Sequence, residues 1–288
     1  MPIDQNRLTS RRMWLLFETY HDVTYFTPES RAATDALGCK GGWMGYFGMR
    51  AAPLGAVAPE MVISSFYNFH PRMVCRAIPD AWQVATPEQY LATRLKGADG
   101  ALRRMLGDVD VSEAAELAQE AARNAPTAGR PLAAANAIIP APDEPHLKLW
   151  QATTVLRESR GDGHVAALVA APLDPIETLV LFTTERGVDP AYMRAARGWS
   201  EEEWSLAEQR LQDRGLVQGG AVTQAGRDLR ADIERRTDEA AEAPWQALGQ
   251  AKTERLVELM TPLARSLGEQ NEAMRQNPMD INVVKELS

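Results

Sequence analysis

The stretch SEEEWSLAEQRLQDRGLVQGGAVTQAGRDL, residues 200–229, decides the fold. Ser200 stands before Glu201, Glu202 and Glu203, with Trp204 following. A hydroxyl cap, an acidic first turn and an aromatic anchor start a helix. Residues 216–223, with Gly219-Gly220 at their centre, read as a short β-hairpin, and Thr223-x-x-Gly226-Arg227-x-Leu229 opens another helix. Upstream, residues 175–185 carry a helical pattern and Pro190 opens a second short helix after a tight turn. Proline suits a first helical position because the amide it lacks would be unpaired there anyway. Three short helices in this order make a helix-turn-helix core.

Working outward, the first half repeats the pattern at an offset of 119 residues. Ala33-Thr34-x-x-Leu37 matches Ala152-Thr153-x-x-Leu156, Gly42 matches Gly161, Ala51-Ala52-Pro53-Leu54 matches Ala170-Ala171-Pro172-Leu173, and Pro71 falls on Pro190. A shared register over some forty residues, with proline and glycine aligned, argues for internal duplication. The third helix of the first copy starts at Thr86-Pro87-Glu88-Gln89-Tyr90. Elsewhere residues 8–26 place Trp14, Phe17, His21 and Tyr25 on one helical face, and residues 112–124 and 251–267 are further helix sequences. The expected fold is mainly α: two winged-helix-like halves (1–125 and 147–249) joined by a proline-rich connector (126–146), then a C-terminal helix and tail (250–288).

The run Leu211-x-x-Arg214-Gly215-Leu216-Val217, followed by Thr223-x-x-Gly226-Arg227-x-Leu229, resembles the recognition helix, wing and following helix of MarR-type winged-helix regulators. Taken whole, the chain resembles a bacterial helix-turn-helix family. The resembling segments are Tyr20-His21-x-x-Thr24-Tyr25-Phe26, Gly42-Trp43-Met44-Gly45-Tyr46-Phe47, Phe66-Tyr67-Asn68-Phe69 and Gly161-Asp162-Gly163-His164. The resemblance implies the fold and carries no activity with it.

Composition limits what such a fold would do. Lys and Arg total 31 against 39 Asp and Glu, a net charge of -8, the wrong sign for coating phosphate backbones. Residues 200–214 carry five carboxylates against Arg210 and Arg214, and the hairpin 217–222 has no basic residue, so the usual groove-reading surface is acidic. Residues 86–106 are better supplied, with Arg94, Lys96, Arg103 and Arg104, but Gly97 and Gly100 weaken the middle of that helix. DNA binding is the disfavoured reading. No run approaches the ~18 apolar residues of a membrane helix, and two cysteines, Cys39 and Cys75, fit a reducing cytoplasm.

Four histidines remain for chemistry. The glycines of Gly161-Asp162-Gly163-His164 are expected to break the preceding helix, with Asp162 capping the next and His164 in its first turn. A helix N-terminus disfavours imidazolium, so His164 would be a general base or ligand-orienting group, or else a polar residue beside a cap. His21 lies on an apolar helical face, as a satisfied core histidine or a site group. His70 precedes Pro71, as a cap or as part of a site with Tyr67, Asn68 and Arg72. His146 flanks the helix from Leu147. Trp43, Tyr46 and Phe47, with Tyr25, add an aromatic surface that core packing or a flat ligand would use, and the matching residues Val165, Ala166 and Leu168 are aliphatic. Two such unequal faces would leave a cleft. No Cys-x-x-Cys, His-Glu-x-x-His, P-loop or Gly-x-Ser-x-Gly pattern is present, so no metal or nucleotide cofactor is implied. The expected function is binding, with a possible cofactor-independent turnover, of a hydrophobic or aromatic small molecule by His164, His21, His70, Trp43, Tyr46, Asn68, Tyr25, Phe47 and Asp162. The competing expectation is a ligand-responsive DNA-binding regulator.

Overall fold

The computed structural model describes residues 9–287; Leu8 of the first expected helix lies outside them. Helices make up 73% and strand 1%, a mainly α fold. The first half runs α1 (Thr9–His21), α2 (Pro28–Leu37), α3 (Gly42–Ala51), α4 (Pro59–Phe66), α5 (Pro71–Cys75), α6 (Asp80–Val84), α7 (Pro87–Leu106) and α8 (Ser112–Ala122). Then come α9 (Pro131–Ala137), α10 (Pro145–Ala170), α11 (Pro175–Arg186), α12 (Pro190–Arg197), α13 (Glu201–Asp213), strands β1 (Val217–Gln218) and β2 (Ala221–Val222), α14 (Gln224–Ala240), α15 (Ala243–Leu248), α16 (Gln250–Gln270) and α17 (Val283–Glu286). Eight of these helices, α2, α4, α5, α7, α9, α10, α11 and α12, open on proline, which explains how so proline-rich a chain stays helical.

The local chemistry read from residues 200–229 is present atom by atom. Ser200 and Glu203 close a capping box on α13, as Thr86 and Gln89 do on α7, and the aromatic anchors Trp204 and Tyr90 are buried. The hairpin pairs Val217 with Val222 and Gln218 with Ala221. Gly219 (φ 58°) and Gly220 (φ 76°) supply its turn, both left-handed as a two-residue hairpin requires. Thr223 caps α14 by accepting from the Gly226 amide. A Cβ at 226 would lie 2.3 Å from the Leu216 carbonyl oxygen, so the glycine in the Thr-x-x-Gly-Arg run lets the wing fold back on the helix.

Three expectations need correction. First, α10 does not break at Gly161-Asp162-Gly163 but runs unbroken for 26 residues. Gly163 instead leaves room for Arg130, 3.1 Å from where a Cβ would sit, and Arg130 donates to the Ser159 and Ala240 carbonyls. Second, residues 126–146 are no free connector. They contain α9, where buried Asn136 accepts from Arg94 and its carbonyl accepts from Gln151. Third, Gly97 and Gly100 do not weaken α7, which runs unbroken for 20 residues: at Gly97 a Cβ would collide with Ser30 of α2, Arg94 is buried, and Arg103 and Arg104 pair with Asp99 and Glu29.

Packing makes α10 the axis. Its first half (Leu147, Leu149, Trp150, Leu156) belongs to a core with α1, α7, α8, α15 and α16. Its last turn (Ala167, Leu168) belongs to the core of α11 to α14. A third core gathers Phe47, Phe66, Phe69, Ile78 and Tyr90 around α3 to α6. The C-terminal helix α16 therefore closes the first half, not the second. No single described helix is long and apolar enough to cross a membrane; α10 and α11 qualify only as a pair bent by 99°.

Candidate functional site

A cavity of about 620 Å³ opens where the two halves meet, within the range that small-molecule sites occupy. α10 supplies one wall through Arg157, Arg160, Gly161, His164, Val165 and Leu168, a stripe at helical period. α1 adds Arg11, Trp14, Leu15 and Glu18 at the same period. Tyr46 and Arg50 come from α3, Phe66 to Phe69 from the α4–α5 turn, Leu179 and Phe182 from α11, Arg197 from α12, and Arg230 and Thr237 from α14.

His164 lines the cavity, but from the middle of α10, so its proton state owes nothing to a helix terminus. Burial, and after it the charges of Arg160, Arg230 and Arg11, hold the imidazole down at about 3. Its Nδ1 lies 2.9 Å from Thr237 Oγ1, and that hydroxyl spends its proton on the Ile233 carbonyl. Nδ1 must therefore donate, which leaves Nε2 as an unprotonated acceptor. Arg160 donates to Asp238 at 2.6 Å, and Arg11 and Arg160 flank the Trp14 ring at 5.3 and 5.1 Å from its centroid.

The opposite end is built on a buried ion network. Arg50 makes a two-pronged contact with Glu158, 3.0 Å on each oxygen, and Arg157 bridges Glu18 and Glu158. Burial raises the Glu158 carboxyl, but Arg50 and Arg157 outweigh it and hold the group well below its usual range. Behind it, burial and Glu18 push the Asp22 carboxyl up. Tyr46 accepts from Arg50 at 3.2 Å. Beside this network Tyr67 adopts φ 49°, ψ -64°, and the Asn68 amide lies 2.6 Å from the Phe66 carbonyl. That is a positive-φ γ-turn, a strained form for a bulky residue. The Tyr67 hydroxyl bonds the Leu173 carbonyl and so ties the turn to the second half.

Of the residues singled out in the sequence, the cavity brings together His164, Tyr46 and Asn68. His21 is fully buried outside it: Nδ1 donates to Thr154 Oγ1, whose own proton goes to the Trp150 carbonyl, and Nε2 has no partner. Its ring meets Tyr25 edge-on, and Tyr25 in turn backs Tyr46. Phe47 is core. Trp43 is half-exposed and lies off the cavity. Asp162 caps nothing on α10; buried, it accepts from the Ala133 amide of α9, and desolvation raises its carboxyl to about 6. His70 caps α5 by accepting from the Arg72 amide and contacts Glu203 of α13 at 2.9 Å. His146 reaches Asp99 at the start of α10. Sequence reading missed the arginines. The signal was Arg157-x-x-Arg160-x-x-x-His164, three cationic or basic groups on one face of α10. Among the described residues no group of His, Cys, Asp and Glu is placed to hold a metal ion.

The unit α11 to α14 sits beside this cavity and meets the first half at the start of α13. Trp199 Nε1 donates to the Asn68 carbonyl, the His70 amide donates to the Arg197 carbonyl, and His70 meets Glu203 in the first turn of α13. Arg210 of α13 and Arg214 just after it turn back to the start of α11, Arg210 to Asp174 and Glu177 and Arg214 to Glu177.

No protein of curated function and no solved structure matches the chain. A family profile described as a helix-turn-helix family matches residues 10–274, from α1 to the segment after α16. With nearly its whole length inside that match, the chain belongs to this helix-turn-helix family.

Proposed function

We propose that this protein binds a hydrophobic or aromatic small molecule in the cavity between its halves, with His164 as the neutral proton acceptor facing it. The supporting observation is the cavity itself: about 620 Å³, walled on one side by Tyr46, Phe66, Phe69, Leu168, Leu179 and Phe182 and elsewhere by arginines and carboxylates. Sites of that size hold small molecules. The test is intact mass under native conditions against mass after denaturation, with saturable uptake of an aromatic probe. A co-purified or added ligand at one per chain is the expected result. A ligand-free protein that takes up no probe would refute the reading.

A second reading, a ligand-responsive DNA-binding regulator, is favoured by the family and by the winged unit. The two readings share the cavity and part at α13. A recognition helix enters the groove by its N-terminal end, and here that end exposes Glu201 and Glu202 and holds Glu203 against His70, while Arg210 and Arg214 at the far end are committed to the start of α11. The expected result is no retention on a duplex library at low salt. Retention that an aromatic ligand releases would establish the regulator instead.

A further inference from the structure

We propose that the cavity selects an organic monoanion, a single carboxylate on an apolar body, and that Arg197 receives its charge. The inference rests on the small-molecule reading above and adds the ligand's chemical class.

Charge balance within the cavity carries the argument. At the His164 end, Arg11, Arg160 and Arg230 pair with Asp238, Glu234 and Glu185, Arg186 pairs with Asp280, and Arg227 donates to Gln224 and the Val222 carbonyl. At the Tyr46 end, Arg50 and Arg157 are matched by Glu158 and Glu18. Arg197 is the cation left over there. Among the described residues no carboxylate contacts it, its Nη1 reaches only the neighbouring Ala196 carbonyl at 3.3 Å, and its Nε is buried without a partner. Buried charges are ordinarily paired, and guanidinium keeps its proton at any ordinary pH. One positive charge at this end therefore waits for a counterion, and one is what a carboxylate brings.

The surroundings fit an anion attached to rings. The Arg197 guanidinium lies 4.7 Å over the Phe69 ring, and Tyr46 packs against the same ring at 5.6 Å. Tyr46 accepts from Arg50 and so keeps its own proton for another acceptor. Asn68, whose Oδ1 is buried without a partner, lines the same space and can turn either end of its amide to a ligand. A planar guanidinium grips a carboxylate through two parallel N–H donors, while Phe66, Phe69 and Tyr46 take the apolar part.

The experiment compares two fluorescent probes with the same rings, 8-anilinonaphthalene-1-sulfonate, a monoanion, and N-phenyl-1-naphthylamine, which lacks the sulfonate. Both are titrated at low salt into the full chain and into Arg197→Gln. The expected result is about tenfold tighter binding of the anionic probe by the unmodified protein. In Arg197→Gln that preference is lost, because the anionic probe weakens by a larger factor than the neutral one. Tyr46→Phe, which keeps every arginine, should lower the preference by a smaller factor, and 1-naphthoate should displace the anionic probe. Equal affinity for both probes, or a preference that survives Arg197→Gln, would overturn the anion assignment while leaving the cavity reading intact. Binding of neither probe would overturn the cavity reading itself.

Discussion

Two turns, one before Pro71 and one before Pro190, each precede a helix that opens on proline, and they solve the same problem differently. In each, the preceding residue accepts from an amide of the new helix: His70 through Nδ1 from Arg72, Asp189 through Oδ1 from Ala191. In the second half the previous helix ends on Gly187 at φ 71°, the cheap left-handed stop. In the first half the stop is Tyr67 at φ 49°, where a side chain is uphill. The strained turn is the one whose flanking Phe66, Asn68 and Phe69 wall the cavity. Backbone strain sits in the turn that walls the cavity, and the other turn keeps the ordinary solution.

The largest expected effect comes from breaking the charge lock. Glu158→Gln leaves Arg50 and Arg157 short of a carboxylate inside the fold and should destabilise by about 3–5 kcal/mol, measured by denaturant unfolding. Asp162→Asn should act in the opposite direction. Its folded carboxyl sits at about 6, above the unfolded value. It therefore favours the folded state at low pH and loses that contribution as pH rises through 6. The variant should gain on the order of 2 kcal/mol at pH 7 and nothing below pH 4. His164 titrates with the reverse consequence. With its folded value lowered to about 3, its contribution is present above pH 6.5 and is lost as pH falls toward 3, so His164→Gln should flatten that part of the stability profile.

The turns themselves give smaller effects. Gly187→Ala meets no neighbour but must hold φ 71°, a cost of about 1–2 kcal/mol. Tyr67→Gly relieves strain of similar size while losing its ring and hydroxyl contacts, so stability should change by less than about 1 kcal/mol and probe binding should fall. Equal stability losses at the two positions would erase the contrast between them. Asp189→Ala and His70→Ala should each cost about 1 kcal/mol as lost caps.

What the sequence made legible was local. Capping boxes, proline starts, the glycine hairpin and the Thr-x-x-Gly-Arg closure all act within a few residues, and each is present as read. What failed depended on distant partners. Gly163 looked like a breaker because Arg130, some thirty residues away in the chain, was invisible beside it. Gly97 looked like a weak spot because Ser30 of α2 was not yet there. The site was half legible for the same reason. His164, Tyr46 and Asn68 announce themselves by residue type, whereas His21 and Phe47 were placed in the site by their aromatic neighbours and belong to the packing behind it. The arginines read as surface charge until α1, α3, α10 and α12 brought them to one cavity.

The account stands on the space between the halves being used, and filling it is the most direct test. Val165 lines the cavity from α10 without belonging to any core, so Val165→Trp should occupy it and leave the fold in place. Titration with N-phenyl-1-naphthylamine should then show one saturable site per chain in the unmodified protein and none in the variant, with matching helical content and melting behaviour. Uptake that is undiminished in the variant would place binding elsewhere and contradict the account.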